Sequence, residues 1–443
     1  MTTLQAAVSR RNIIPPKGIF LIGYGDRTKG NTGVHDDLTA TALVLDDAHT
    51  RLGIVALDML TINEYIVDRV RAGLPGIKVL LCCSHTHSGP IAYADEKSGR
   101  LEREYIDSLV RNIIEAVREA ASRLVPARLI VSSGEAHIAI NRRQQMPDGH
   151  FEIGRNPEGV VDRSVQVVSV FSAQNERMAT LINYACHGTV LGPDNLLVSA
   201  DWIGAMRAKV EQELGGLAIF IQGATANLNP DMDWNSATAF QTMTAEGLSV
   251  AEAVLTATKA PGREITATPL RMERAEAWLP LEAPASAPHP PKKAYRAPLL
   301  KMAGLPGFLG FAVDYLLKIR YPWRSRIEAR EGFWSVPMRI SVARIGELAL
   351  VAYGAEVFTE IGLAVKTASP AAVTLFASVT DGCISYLHTA TSHPEGGYEV
   401  DTAPYAYRYP GRLKAECEQI ALDATRELAN RLFRKMLQSQ REP

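Results

Sequence analysis

The stretch Ile77-Lys78-Val79-Leu80-Leu81-Cys82-Cys83-Ser84-His85-Thr86-His87-Ser88-Gly89-Pro90 decides how the rest of the chain is read. Its first half is an apolar run of strand length, which reads as a strand buried on both faces. Its second half delivers two histidines to the exit of that strand. Residues two apart on an extended chain face the same way, so His85 and His87 are expected to look into one pocket. Imidazoles placed there act as ligands for a metal such as zinc or as acid/base groups near neutrality. The plainer alternative is a pair of polar residues that finish a strand.

Upstream, Gly18 to Gly33 is glycine-rich and includes Gly23, Gly25 and Gly30. No Gly-Lys-Ser/Thr follows, and the segment does not lead from a strand into a helix, so it is not a phosphate loop. It reads as a loop packed close to a site. Strands are expected over 41–45 and 52–57, the second ending at Asp58, with a short helix before residue 79.

Downstream, Tyr105, Leu109, Ile113, Val117 and Leu124 recur at helical intervals, which predicts a helix over 101–124 laid on a sheet. The strand-rich 127–140 ends at Asn141-Arg142-Arg143, and the polar 144–159 reads as a long loop. A strand over 178–186 ends at His187-Gly188, and Ser199-Ala200-Asp201 looks like a helix start. The strand 217–221 exits into Gln222 and then Ala226-Asn227-Leu228-Asn229-Pro230, followed by a helix over 242–259. In the last third a strand over 348–353 precedes a helix opened by Glu356, a strand over 373–378 leads toward Tyr386, and an amphipathic helix lies within 411–437.

The chain has 443 residues, 47% of them hydrophobic and 21% charged, with 47 basic against 48 acidic side chains. No bulk field favours nucleic acid or an anionic membrane, so the expected partner is a small molecule. Cys82, Cys83 and Cys186 fall in apolar strand-like runs as small core residues, and the odd total of 5 cysteines implies no disulfide framework. The start resembles no export signal and no run is long enough to span a bilayer, which makes the cytoplasm the expected compartment. The fold class expected is α/β, with a mixed β-sheet core flanked by helices and the site at strand ends. Residues 1–443 read as one catalytic domain. Within it, 280–326 is a Pro-rich and then aromatic insertion, read either as a cover over the site or as an ordinary helix packed on the body.

Six strand ends carry a polar group: Asp58, His85, His187, Gln222, Glu356 and Tyr386. Two histidines and a carboxylate form a ligand set that zinc uses when one position is left for water. His85, His187 and Glu356 are therefore candidate ligands. Tyr386 is either a further oxygen donor or a phenol hydrogen-bonded beside the site.

These residues also resemble a known family. Ser84-His85-Thr86-His87-Ser88-Gly89-Pro90 is similar to the Thr-His-Thr-His-Ser-Gly-Pro motif of neutral ceramidases, zinc amidohydrolases that cleave the N-acyl bond of ceramide. The resemblance continues at His187, at Gly354-Ala355-Glu356 (family Pro-Gly-Glu), and at Tyr386 and Tyr398, which keep the family's interval of 12 residues. It implies one Zn2+ per chain held by His85, His187, Glu356 and Tyr386. It also implies that His87, Arg142 and Tyr398 contact the substrate carbonyl or its developing oxyanion. Chemistry agrees, since amide cleavage develops a negative oxygen and must protonate a departing amine, a task for which His87 is best placed.

The chain departs from the family where Gly-Asp-Val-Ser-Pro is replaced by Ala226-Asn227-Leu228-Asn229-Pro230, which alters a substrate-contacting loop. Gly25, Asn227 and Asn229 are the candidate substrate-binding residues. Only about 45 residues follow Tyr398, so the resemblance is to the N-terminal catalytic domain, without the immunoglobulin-like domain of secreted members. The expected activity is hydrolysis of the amide of a ceramide-like lipid or a smaller N-acyl amide. Rival readings are a metal-dependent esterase or lactonase and a catalytically silent lipid- or metabolite-binding homologue.

Overall fold

Along the strand Arg51–Leu57, residues Leu52, Ile54 and Ala56 enter one buried cluster while Val55 and Leu57 enter another. Leu80 and Cys82 alternate in the same way with Val79, Leu81 and Cys83 on the strand Ile77–Cys83. A period of two with both faces apolar requires a sheet covered on both sides. The computed structural model, which describes residues 3–25, 27–90, 100–232, 235–285, 326–407 and 409–439, shows how both covers are supplied.

The larger sheet runs in the spatial order Leu217–Gln222, Arg177–Tyr184, Ser164–Ser172, Val125–Glu135, Gln5–Asn12, Thr39–Asp46, Arg51–Leu57, Ile77–Cys83, with Arg263–Ile265 beside Val125–Glu135. Only its two outermost pairs are parallel. A second mixed sheet has the order Leu270–Pro284, Phe333–Ile345, Leu348–Tyr353, Val373–Ala377. The sheets pack face to face through a core that includes Leu43, Ile54, Leu80, Leu181, Ile219, Leu350 and Leu375. Helices Glu64–Ala72 and Arg100–Ser122 pack on one half of the larger sheet's outer face, and Trp202–Leu214 and Ala239–Lys259 on the other. Thr359–Ala368 and Cys417–Ser439 cover the second sheet. The layers are helix, sheet, sheet, helix, in agreement with the α/β expectation.

The segment Ser378–Asp381 closes this assembly. Ser378 N donates to Gln222 O at one edge of the larger sheet, while Cys83 N donates to Val379 O and Asp381 N to Leu81 O at the other edge. His85 and Glu356, near the ends of different sheets, are thereby held at one rim.

Several sequence expectations change. The polar 144–159 is mostly a hairpin of Ala139–Gln145 and Phe151–Asn156 paired antiparallel. It belongs to a three-stranded ribbon with little burial beyond Arg143, so the brief alternation of Phe151 and Ile153 was too short to mark it. Glu356 does not open a helix. Glu356–Val357 is a short strand parallel to Tyr386–Leu387, and the helix begins at Thr359. All 5 cysteines are unpaired, with Cys82, Cys83 and Cys186 buried. Among the described residues no helix is long and apolar enough to cross a membrane. Most of the 280–326 insertion, residues 286–325, lies outside the described residues.

Candidate metal and active site

The strand Ile77–Cys83 stops two residues before the first histidine, and His85 adopts a left-handed conformation with φ +63°. The two histidines therefore do not share a face of an extended strand. They converge because the chain turns at His85, leaving the rings of His85 and His87 5.2 Å apart. Backbone bonds fix the turn: Ser84 N donates to Leu57 O and His85 N to Met59 O. A second loop, after Arg177–Tyr184, brings in His187. The two loops are stitched by a bridge between Thr86 and Gly188 and by His87 N donating to Gly188 O at 3.0 Å.

His85 Nε2 lies 3.1 Å from His187 Nε2 and 3.1 Å from Glu356 Oε2, and His187 Nε2 lies 3.4 Å from the same oxygen. The outer nitrogens are already engaged, His85 Nδ1 with Leu60 O and His187 Nδ1 with Leu228 O, both at 2.8 Å. A carbonyl only accepts, so each Nδ1 carries a hydrogen, and a ring whose single hydrogen sits there turns an Nε2 lone pair inward. Two lone pairs 3.1 Å apart beside a carboxylate repel unless a positive charge lies between them. The separations suit a zinc-type tetrahedron, whose edges are roughly 3.3 Å for bonds of about 2.0–2.1 Å. Donor types and spacing both fit a metal.

His85, His87 and His187 form a buried three-histidine cluster able to hold an ion. Glu356 is an alternative third donor to His87. Geometry favours Glu356, because its oxygen meets both Nε2 atoms, whereas neither ring nitrogen of the buried His87 has a hydrogen-bond partner to orient it. Burial, then the neighbouring His85 and His187, hold His87 well below the ordinary histidine pKa, so it is neutral at pH 7. Burial and the Arg142 charge lower His187 to about 4.

Tyr386 is the register partner of Glu356 across their short parallel pair, and its ring centre lies 5.6 Å from that of Tyr398. Burial, reinforced by Glu356, raises both phenols, and Arg142 opposes the shift. The Arg142 guanidinium carbon sits 5.6 Å from the Tyr386 ring centre and 6.0 Å from that of Tyr398. Arg142 Nε donates to Glu399 Oε1 at 2.8 Å and Nη1 to Asn229 Oδ1 at 3.2 Å, leaving Nη2 buried with no hydrogen-bond partner. Burial works against its charge, but Glu399 foremost outweighs that and raises its pKa.

The remaining expected residues fare differently. Asn227 accepts from Thr359 N and donates to Glu360 Oε2, both at 2.9 Å, so its carboxamide docks the start of a helix instead of facing the histidines. Gly25 is exposed, with open space beside it. Gly23 is the close neighbour: a Cβ there would lie 2.4 Å from His87 Nδ1. Asp58 pairs with Arg207 at 2.7 Å and Gln222 donates to Cys186 O, so both serve the scaffold. Sequence reasoning also missed Arg27, which donates to the carbonyls of His87, Gly192 and Pro193, and Tyr407, whose hydroxyl is 3.5 Å from Glu356 Oε1. Neither stands in a motif that spacing could flag. A cavity of about 400 Å³, lined in part by Val190, Leu191, Asn195 and Phe240, has none of the expected site residues in its lining.

A family model described as neutral/alkaline non-lysosomal ceramidase, N-terminal, matches residues 13–240 and so takes in both histidine loops. The chain belongs to this family. Among relatives, it is 26% identical over 239 residues to neutral ceramidase of Pseudomonas aeruginosa, covering 48% of this chain and 35% of that protein. It is also 26% identical over 250 residues to neutral ceramidase of Mycobacterium tuberculosis, covering 48% of this chain and 38% of that protein. The matched stretches thus span little more than a third of those relatives. In three dimensions the ceramidase fold extends further. A ceramidase complexed with C2 superposes with a TM-score of 0.75 at 18% identity, over 98% of this chain and 76% of that one. The crystal structure of neutral ceramidase from Pseudomonas aeruginosa gives 0.73 at 18% identity, over 98% and 75%.

Proposed function

We propose that the chain is a zinc-dependent amidohydrolase that cleaves the N-acyl bond of a ceramide-like lipid or a smaller N-acyl amide. His85, His187, Glu356 and Tyr386 would hold the ion, and residues 1–443 would act as one catalytic unit. The observation that carries this reading is the meeting of two Nε2 atoms and a carboxylate oxygen within 3.1–3.4 Å, with both Nδ1 atoms engaged elsewhere. Bound zinc supplies a hydroxide near neutral pH and polarises a carbonyl.

The protein's own groups divide the remaining tasks. Arg142 Nη2 has no hydrogen-bond partner among the described residues and the guanidinium lies against the Tyr386 ring, an arrangement suited to a carbonyl oxygen that gains negative charge. Tyr398 offers a phenol whose pKa is raised, so it remains a donor at neutral pH. His87 is neutral with both ring nitrogens unengaged, and it is 9% exposed against 1% for His85 and 0% for His187. With neither nitrogen committed to a partner, the ring is fit to carry a proton to the departing amine.

His85→Ala and Glu356→Ala are each expected to lose bound zinc and turnover together, measured by elemental analysis and release of fatty acid from a short-chain ceramide. Full zinc content in His85→Ala would refute the ligand assignment. Matched amide and ester substrates decide the bond: faster ester cleavage at every acyl length would replace the amidase reading with an esterase.

A further inference from the structure

Glu399 is 1% exposed and stands next to Tyr398 in the single π-helical turn Tyr398–Thr402. Such turns shift a side chain by one position and recur at functional sites. Glu399 Oε1 accepts from Arg142 Nε at 2.8 Å and Oε2 accepts from Arg143 Nη1 at 2.9 Å. Arg143 is otherwise satisfied, its Nη2 donating to Gly396 O at 2.9 Å and to Glu395 Oε2 at 3.1 Å. Arg142 is not. With Nε on Glu399 and Nη1 on Asn229, its plane is fixed on two sides and Nη2 is the donor left over.

We propose that Glu399 is a positioning residue that, with Asn229, fixes the Arg142 guanidinium so that its Nη2 is presented to the carboxyl-derived oxygen of the bound acyl group. The claim rests on the amidohydrolase reading for the identity of that oxygen. A guanidinium is planar with its five N–H donors in a fixed fork, so holding two of its nitrogens determines where the third points. Asn229, which replaces the family's serine, is thus a partner of the arginine through its Oδ1.

The test uses the full chain with zinc bound, in wild-type and Arg142→Ala backgrounds, and two readouts: kcat and KM on a short-chain ceramide, and the Kd of dodecanoate by calorimetry. Glu399→Gln should keep its zinc, lower kcat about 10- to 100-fold with KM within roughly threefold, and weaken dodecanoate at least about fivefold. In the Arg142→Ala background the same change should alter neither readout by more than about twofold, because the group it acts through is gone. If the effects of the two substitutions multiply, or if Glu399→Gln behaves as wild type, the proposal is overturned. Should Glu399→Gln fail to fold, Asn229→Leu at the half-buried rim substitutes for it. The expected result is a smaller loss of about 3- to 10-fold that vanishes in Arg142→Ala, and a loss that persists there overturns the proposal. A wild type that binds dodecanoate through Arg142 but hydrolyses no amide would overturn the amidase reading and leave the positioning role standing.

Discussion

Gly23 shows how little room His87 has. Its φ of +118° is open to few other residues, and any side chain at this position would enter the imidazole. Gly23→Ala should therefore cost about 1–3 kcal/mol of stability and displace the ring. Turnover should fall roughly tenfold or more while zinc content stays at one per chain, since His87 is outside the proposed ligand set. Thermal unfolding, elemental analysis and kcat on one preparation check all three, and loss of zinc would place His87 among the ligands. His85 and His87 could be found in the sequence because an apolar run pointed to them. Gly23 could not, since five glycines crowd that loop and only the fold shows which one touches the ring. Asn227 was misread for a related reason: an amide beside a suspected site looks available until its partners on the helix Thr359–Ala368 are seen.

That helix sits behind Glu356 and is anchored at both ends. Near its C-terminus, Lys366 Nζ lies 2.6 Å from Asp162 Oδ2, and Ser164 also donates to Asp162. Burial pushes the Asp162 pKa up, but Lys366 and then the Ser164 bonds outweigh it and leave it below 3.8. A depressed carboxyl pKa stabilises the fold above the unfolded value and ceases to do so as pH falls through the folded one. Asp162→Asn should thus cost about 1–2 kcal/mol at pH 7, and the gap from wild type in urea unfolding should close below about pH 3.8. A gap that persisted to pH 2 would mean that packing, rather than the ion pair, holds the helix. At this scale long apolar strands and amphipathic helices were legible from period alone. The hairpin Ala139–Gln145 and Phe151–Asn156 was not, because its outer strand is too short and too exposed for Phe151 and Ile153 to stand out as a pattern, and its position is set by pairing.

Across the whole molecule, the proposed ligands come from four separated segments: two loops of the larger sheet and a pair of short strands beside the smaller one. An ion bound there ties the two sheets together and favours the folded state by mass action, about 2.7 kcal/mol at a hundredfold excess over its Kd. Adding a chelator should lower the Tm of wild type by several degrees and leave that of Glu356→Ala unchanged, as followed by calorimetry. An equal shift in both would show that the chelator acts elsewhere. The sequence pointed to a mixed β core flanked by helices, but not to two sheets packed face to face. The seam at Ser378–Asp381 was invisible there, since a bond between strand edges far apart in the chain leaves no local pattern.

The left-handed backbone at His85 sets conformation against chemistry. An L-residue held at φ +63° sits roughly 1 kcal/mol above its relaxed state, a burden that glycine or asparagine would lighten. Glycine or asparagine at this position would relax that backbone while removing the Nε2 that faces His187 and Glu356.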